Sequence, residues 1–132
     1  MSSEVTPFVY NAILERVIDG DTIVVTLDLG FSCLLKKQTV RLAGIDTPES
    51  RTRNLEEKAL GLKAKKRLIE LCIGSFKIQS LGKGKYGRIL GIPYTEDGKS
   101  ICQMLIKEKH AVEYWGGTKT GKILEDGTWG ED

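Results

Sequence analysis

The stretch Arg41-Leu42-Ala43-Gly44-Ile45-Asp46-Thr47-Pro48-Glu49 sets one guanidinium and two carboxylates within nine positions. Pro48 forces Thr47 into an extended conformation, so Asp46 and Glu49 leave a strand on a stiffened corner that can hold charges still. Two carboxylates three residues apart beside a guanidinium are costly to assemble unless a metal or an anion occupies the space between them. Two other stretches carry the same kind of residue. Val17-Ile18-Asp19-Gly20-Asp21-Thr22 adds a carboxylate at a turn, and Lys85-Tyr86-Gly87-Arg88, with Lys83 just before it, adds a second guanidinium just after the glycine-lysine loop Gly82 to Lys85.

Strands and one helix must position these groups. Phe8 to Ile18 is strand-like and runs into Asp19-Gly20, a dipeptide suited to a tight hairpin. Asp21 to Leu29 is rich in β-branched residues and forms the second strand. A turn within Gly30 to Lys37 precedes the third, Gln38 to Ile45. These three make a curled antiparallel meander, in which Asp21 comes close to Asp46 if the sheet coils strongly. Asn54-Leu55-Glu56-Glu57 has capping-box spacing, and Leu60, Ala64, Leu68, Leu71 and Cys72 then recur at helical intervals up to Gly74. Phe76 to Leu81 and Tyr86 to Tyr94 are the fourth and fifth strands. Ser100 and Gln103 cap a short second helix ending near Lys109, with Ile101, Met104 and Leu105 on its buried face. After Trp115 the sequence is glycine-rich and polar, which predicts an irregular tail over 116–132. The layout is mainly β with helices (α+β): an OB-fold five-stranded barrel with one helix between strands three and four and a short C-terminal helix.

The length of 132 residues, 40% of them apolar, suits one domain with its core over about 8–115. No run approaches a membrane-spanning length, and the first residues lack the basic start and apolar run of a secretory signal, so a cytoplasmic protein is expected. Cys33, Cys72 and Cys102 are odd in number and lack metal-ligand spacing, which favours free thiols. The formal net charge is only +2, yet Ser50 to Leu90 holds 11 Lys and Arg against 3 Asp and Glu, a local balance of +8. A polyanionic partner and a solvated lysine-rich helix both account for that excess.

Taken together and in this order, Val17 to Thr22, Arg41 to Glu49 and Lys85 to Arg88 resemble the thermonuclease, or staphylococcal-nuclease-like, family, and the likeness extends from about Leu14 to about Ala111. The resemblance implies that Asp21, Asp46 and the backbone carbonyl of Thr47 ligate calcium, a hard cation suited to oxygen donors. With only two carboxylates, weak metal affinity is expected without a substrate phosphate. It implies that Glu49 acts as general base or orients the attacking water, and that Arg41 and Arg88 hold the phosphate. Guanidinium groups suit that task through paired hydrogen bonds and permanent charge. Lys83, Lys85 and Tyr86 fall where the family contacts phosphate and sugar, although a tyrosine packed on the barrel rim is an equal alternative. Tyr114 and Trp115 stand near the family's base-contacting tyrosines, one expected in the core and one on a base. Asp19 is expected as a turn residue behind the ligands, and His110 matches no motif.

The activity so implied is calcium-dependent and largely sequence-nonspecific. It cleaves DNA and RNA, single-stranded by preference, leaves 3′-phosphate ends, and is carried out by a monomer. Compact relatives without a signal occur on phage and plasmid genomes, so a phage- or plasmid-encoded protein fits. The family's secreted prototype carries a long C-terminal helix where this chain has its polar tail. Two other classes stand beside the enzyme. A non-catalytic module of the same fold would bind nucleic acid or protein without Glu49 chemistry, and a calcium-stabilised structural domain would need more carboxylates than this chain offers.

Overall fold

A computed structural model describes residues 8–83 and 87–131. In chain order the elements are β1 (Val9–Asp19), β2 (Thr22–Asp28), β3 (Leu34–Leu42), β4 (Ile45–Asp46), α1 (Leu55–Leu71), β5 (Ser75–Lys83), β6 (Ile89–Tyr94), α2 (Ile101–Lys107), β7 (Val112–Glu113), β8 (Lys122–Ile123) and β9 (Trp129–Gly130). Five of the strands close a barrel in the order β1-β2-β3-β6-β5. This is the expected mainly-β, OB-like architecture, with α1 between the third and fourth barrel strands.

Alternation fills the barrel. Ile23, Val25 and Leu27 of β2, Val40 and Leu42 of β3, and Phe76 and Ile78 of β5 point inward and are buried. Leu68 and Cys72 of α1 with Ile101, Cys102 and Leu105 of α2 complete the same core. No helix among the described residues is long and apolar enough to cross a membrane.

Two pairings set the site. β2 and β3 are antiparallel with Thr22 opposite Arg41, and the Leu42 amide donates to the Asp21 carbonyl at 2.8 Å. The β2–β3 register therefore sets Asp21 beside the Arg41 to Glu49 stretch, within a sheet that curls far enough to close a barrel. β3 and β6 run parallel, Arg41 beside Leu90, which seams the barrel and carries the segment after Arg88 to the same edge.

Several local expectations shift. The β2–β3 turn lies within the expected range, at its start, with the Cys33 amide donating to the Gly30 carbonyl and the Leu29 amide to the Cys33 carbonyl, so β3 begins at Leu34 and not at Gln38. β3 stops at Leu42, where the chain turns through Gly44 (φ 80°), and Ile45–Asp46 becomes a separate strand paired with Val112–Glu113. Only half of the first capping box forms: Asn54 accepts from the Glu56 and Glu57 amides, both at 3.1 Å, while Glu57 reaches away to the Glu49 amide at 3.0 Å.

The largest difference is at the C-terminus. The expected irregular tail is ordered in its second part, where β8 pairs with β9, while 116–121 have no regular structure. Asp126 and Gly127 turn the chain between β8 and β9; the Leu124 amide donates to Thr128, and Trp129 is 7% exposed. A single buried indole supplies enough apolar area to dock this polar segment.

Candidate active site

Asp21, Arg41, Asp46, Thr47, Glu49 and Arg88 line one polar cleft, together with Asp19 and Lys119. The corner from Asp46 to Ser50 forms one wall. Asp46, Thr47, Pro48 and Ser50 are buried, and Glu49 between them is exposed. Burial on either side leaves Glu49 exposed between packed neighbours. Asp19 braces the corner from the β1–β2 hairpin, its carboxylate accepting from both the amide and the hydroxyl of Ser50. From the helix side Glu57 accepts the Glu49 amide.

Arg41 is held by backbone. Its Nη1 donates to the Leu42 carbonyl at 2.6 Å and its Nη2 to the Ile45 carbonyl at 2.9 Å, with Asp21 Oδ2 3.5 Å from Nη2. The planar fork spans two carbonyls of the Gly44 turn, a fit that a lysine ammonium cannot reproduce. Asp21 in turn accepts from the Thr22 hydroxyl at 3.0 Å and, at the long distance of 3.4 Å, from the Thr47 amide.

Burial pushes the Asp46 carboxyl above its ordinary value. Lys119 pulls it back, Asp21 raises it further, and Arg41 lowers it. The two carboxylates thus repel across a space that positive charge would relieve, and every donor there is oxygen. Among the described residues no three Asp, Glu, His or Cys side chains converge to hold a metal. A hard cation fits the Asp21–Asp46 pair only with carbonyl, water or phosphate oxygens completing its shell. The Thr47 hydroxyl in the same cleft is buried and has no hydrogen-bond partner among the described residues.

The remaining expected residues do not all fall among the described ones. Lys85 and Tyr86 fall outside the described residues, and Lys83 is exposed at the end of β5. Neither Tyr114 nor Trp115 enters the core. Tyr114 is half-buried with its hydroxyl on the Gly117 carbonyl at 3.0 Å, and Trp115 is 68% exposed. They line a small apolar pocket with Gly44, Leu90 and Arg41. His110 lies elsewhere, at the end of α2, 3.9 Å from Glu108.

Two contributors carried no motif. Lys119 sits 3.6 Å from Asp46 Oδ1, and the Trp129 indole donates to the Asp46 carbonyl at 3.2 Å. The Asp126-Gly127 dipeptide between apolar residues is the same hairpin signal as Asp19-Gly20, and it could have revealed this element. Beyond these two, Gly61 of α1 also lies outside the motifs: a Cβ there would meet the Glu49 carbonyl oxygen at 2.4 Å, and its signal was the cost of a glycine inside an otherwise regular helix.

Residues 39–124 match the model of a family described as Staphylococcal nuclease homologue. Endonuclease YncB of Bacillus subtilis (strain 168) is 43% identical over 103 residues, 74% of this chain and 45% of that protein. SPbeta prophage-derived endonuclease YokF of the same organism is 42% identical over 100 residues, 72% of this chain and 31% of that protein. Endonuclease YhcR, also from that organism, is 33% identical over 115 residues, 80% of this chain and 9% of that protein. The chain spans less than half the length of these curated relatives. With the matched region covering β3 to β8 and the barrel built as the motifs required, the chain belongs to the staphylococcal nuclease homologue family.

Proposed function

We propose that this chain is a calcium-dependent, largely sequence-nonspecific endonuclease that hydrolyses phosphodiester bonds of DNA and RNA, single-stranded by preference, and leaves 3′-phosphate ends. The observation that carries this reading is the convergence of Asp21, Arg41, Asp46, Glu49 and Arg88, from three separate stretches of the chain, on one polar cleft. The endonuclease names of the three relatives support it.

The chain's own groups divide the work. Asp21, Asp46 and the Thr47 carbonyl hold the cation, which when bound polarises a phosphate oxygen. Arg41, fixed on its two carbonyls, and Arg88 donate to the phosphate and meet the negative charge that grows in the transition state. Glu49 accepts a proton from water, or orients it, on a corner that Pro48, Asp19 and Glu57 keep rigid. Lys83, Lys85, Tyr86 and Trp115 position the strand without reading its sequence. The protein acts as a monomer and a single domain.

The test is incubation with heat-denatured DNA at low salt, in calcium or in chelator, beside Glu49→Gln, with analysis of product ends. Low salt matters because phosphate binding weakens steeply as salt rises. Calcium-dependent cleavage to 3′-phosphates, lost in the variant, is expected. Binding without cleavage in any divalent metal would exclude the nuclease and favour a module that only holds nucleic acid.

A further inference from the structure

The C-terminal hairpin approaches Asp46 at three atoms. Lys119 Nζ stands 3.6 Å from Oδ1, the Trp129 indole donates to the backbone carbonyl at 3.2 Å, and Gly121 lies against Oδ2. A Cβ on Gly121 would come within 2.8 Å of that oxygen and 2.6 Å of the Trp129 ring, so the approach is as close as a glycine permits. The two partners differ in freedom. Trp129 is buried and anchors the hairpin, whereas the Lys119 side chain is 57% exposed and able to swing, against 6% for Asp46.

An ammonium carries three donors and no lone pair, so Lys119 cannot join a cation's ligand shell. It can only occupy the neighbourhood of Asp46 in the cation's place. We propose that Lys119 is a tethered counter-ion of Asp46 that a divalent cation must displace, so that the C-terminal hairpin sets the metal affinity of the site. This rests on the reading of Asp46 as a metal ligand. It supplies a cause for weak affinity separate from the shortage of carboxylates: each cation bound at Asp46 breaks an existing ion pair and meets a like charge a few ångströms away. A like charge within about 4–6 Å shifts an ionic equilibrium by roughly tenfold or more.

Calcium titration by isothermal calorimetry, with no nucleic acid present, reads this directly in three proteins: wild type, Lys119→Gln and Lys119→Arg. Lys119→Gln is expected to bind calcium about tenfold more tightly, and Lys119→Arg, which keeps the charge, to stay within about twofold of wild type on the same footing. Calcium-dependent elevation of the melting temperature of each protein gives a second readout that also confirms folding. Equal or weaker binding by Lys119→Gln, with wild type binding calcium, overturns the counter-ion role alone. Absence of calcium binding in all three overturns the metal reading and this inference with it.

Discussion

Replacing Gly61 with alanine inserts a methyl group between two pieces of backbone. A Cβ built there lies 2.4 Å from the Glu49 carbonyl oxygen, 2.5 Å from its carbon and 2.7 Å from the Ser50 nitrogen. Ordinary contact begins near 3.4 Å, so the helix and the corner must separate by about 1 Å. Neither side yields freely, since α1 is capped by Asn54 and the corner is tied to Asp19 and Glu57. On stability the effects oppose. Alanine gains about 1 kcal/mol of helix propensity over glycine, while overpacking costs about 1–3 kcal/mol, so the net loss is about 0–2 kcal/mol. On rate they do not: with Glu49 in the role proposed for it, displacing its carboxylate by about 1 Å costs on the order of a hundredfold. Initial rates on denatured DNA with calcium, set beside urea unfolding of the same preparation, separate the two. The expected variant is folded, slightly less stable and strongly impaired. A variant more stable than wild type by about 1 kcal/mol with unchanged rate would refute the claim that Gly61 sets the position of Glu49.

Arg41→Lys loses the fork across the Leu42 and Ile45 carbonyls, and the rate is expected to fall by about two or three decades; a fall under tenfold in single-turnover cleavage contradicts the bidentate role. Cys33 is exposed, whereas burial pushes the Cys72 and Cys102 thiols up to about 12, so a chromogenic disulfide at neutral pH is expected to titrate one thiol in the native protein and three in denaturant. Burial holds His110 below its ordinary 6.5, so the unfolded chain takes up that proton first. Stability from this residue is present above 6.5 and declines as the pH falls from there toward the lower folded value, and denaturant midpoints of His110→Gln should be flatter over that window. The Glu108 carboxyl, lowered by hydrogen bonding to Arg67, acts in a separate acidic window: its contribution is held above the ordinary 4.5 and lost as the pH drops through the folded value, which Arg67→Ala should remove.

Much of this molecule was legible in the order of its residues. Asp19-Gly20 marks a hairpin, β-branched runs mark β2 and β3, Asn54 starts a helix, and three spaced motifs announce a cleft; all are short-range signals that depend on a residue's own conformational preferences. Tertiary structure decided what those signals cannot reach. The parallel seam of β3 against β6 brings Arg41 and the Arg88 segment to one edge, although 47 positions separate them in the chain. Glu57 looked like half of a cap and instead holds the corner, because Glu49 arrives from another element to compete for it. Lys119 and Trp129 read as parts of a polar tail, since one lysine and one tryptophan have no periodicity. Their meaning comes from a docked hairpin placing an ammonium on one oxygen of Asp46 and an indole on another. Local propensity is written residue by residue, whereas the charge environment of a buried carboxylate is a sum over whatever the fold brings within a few ångströms.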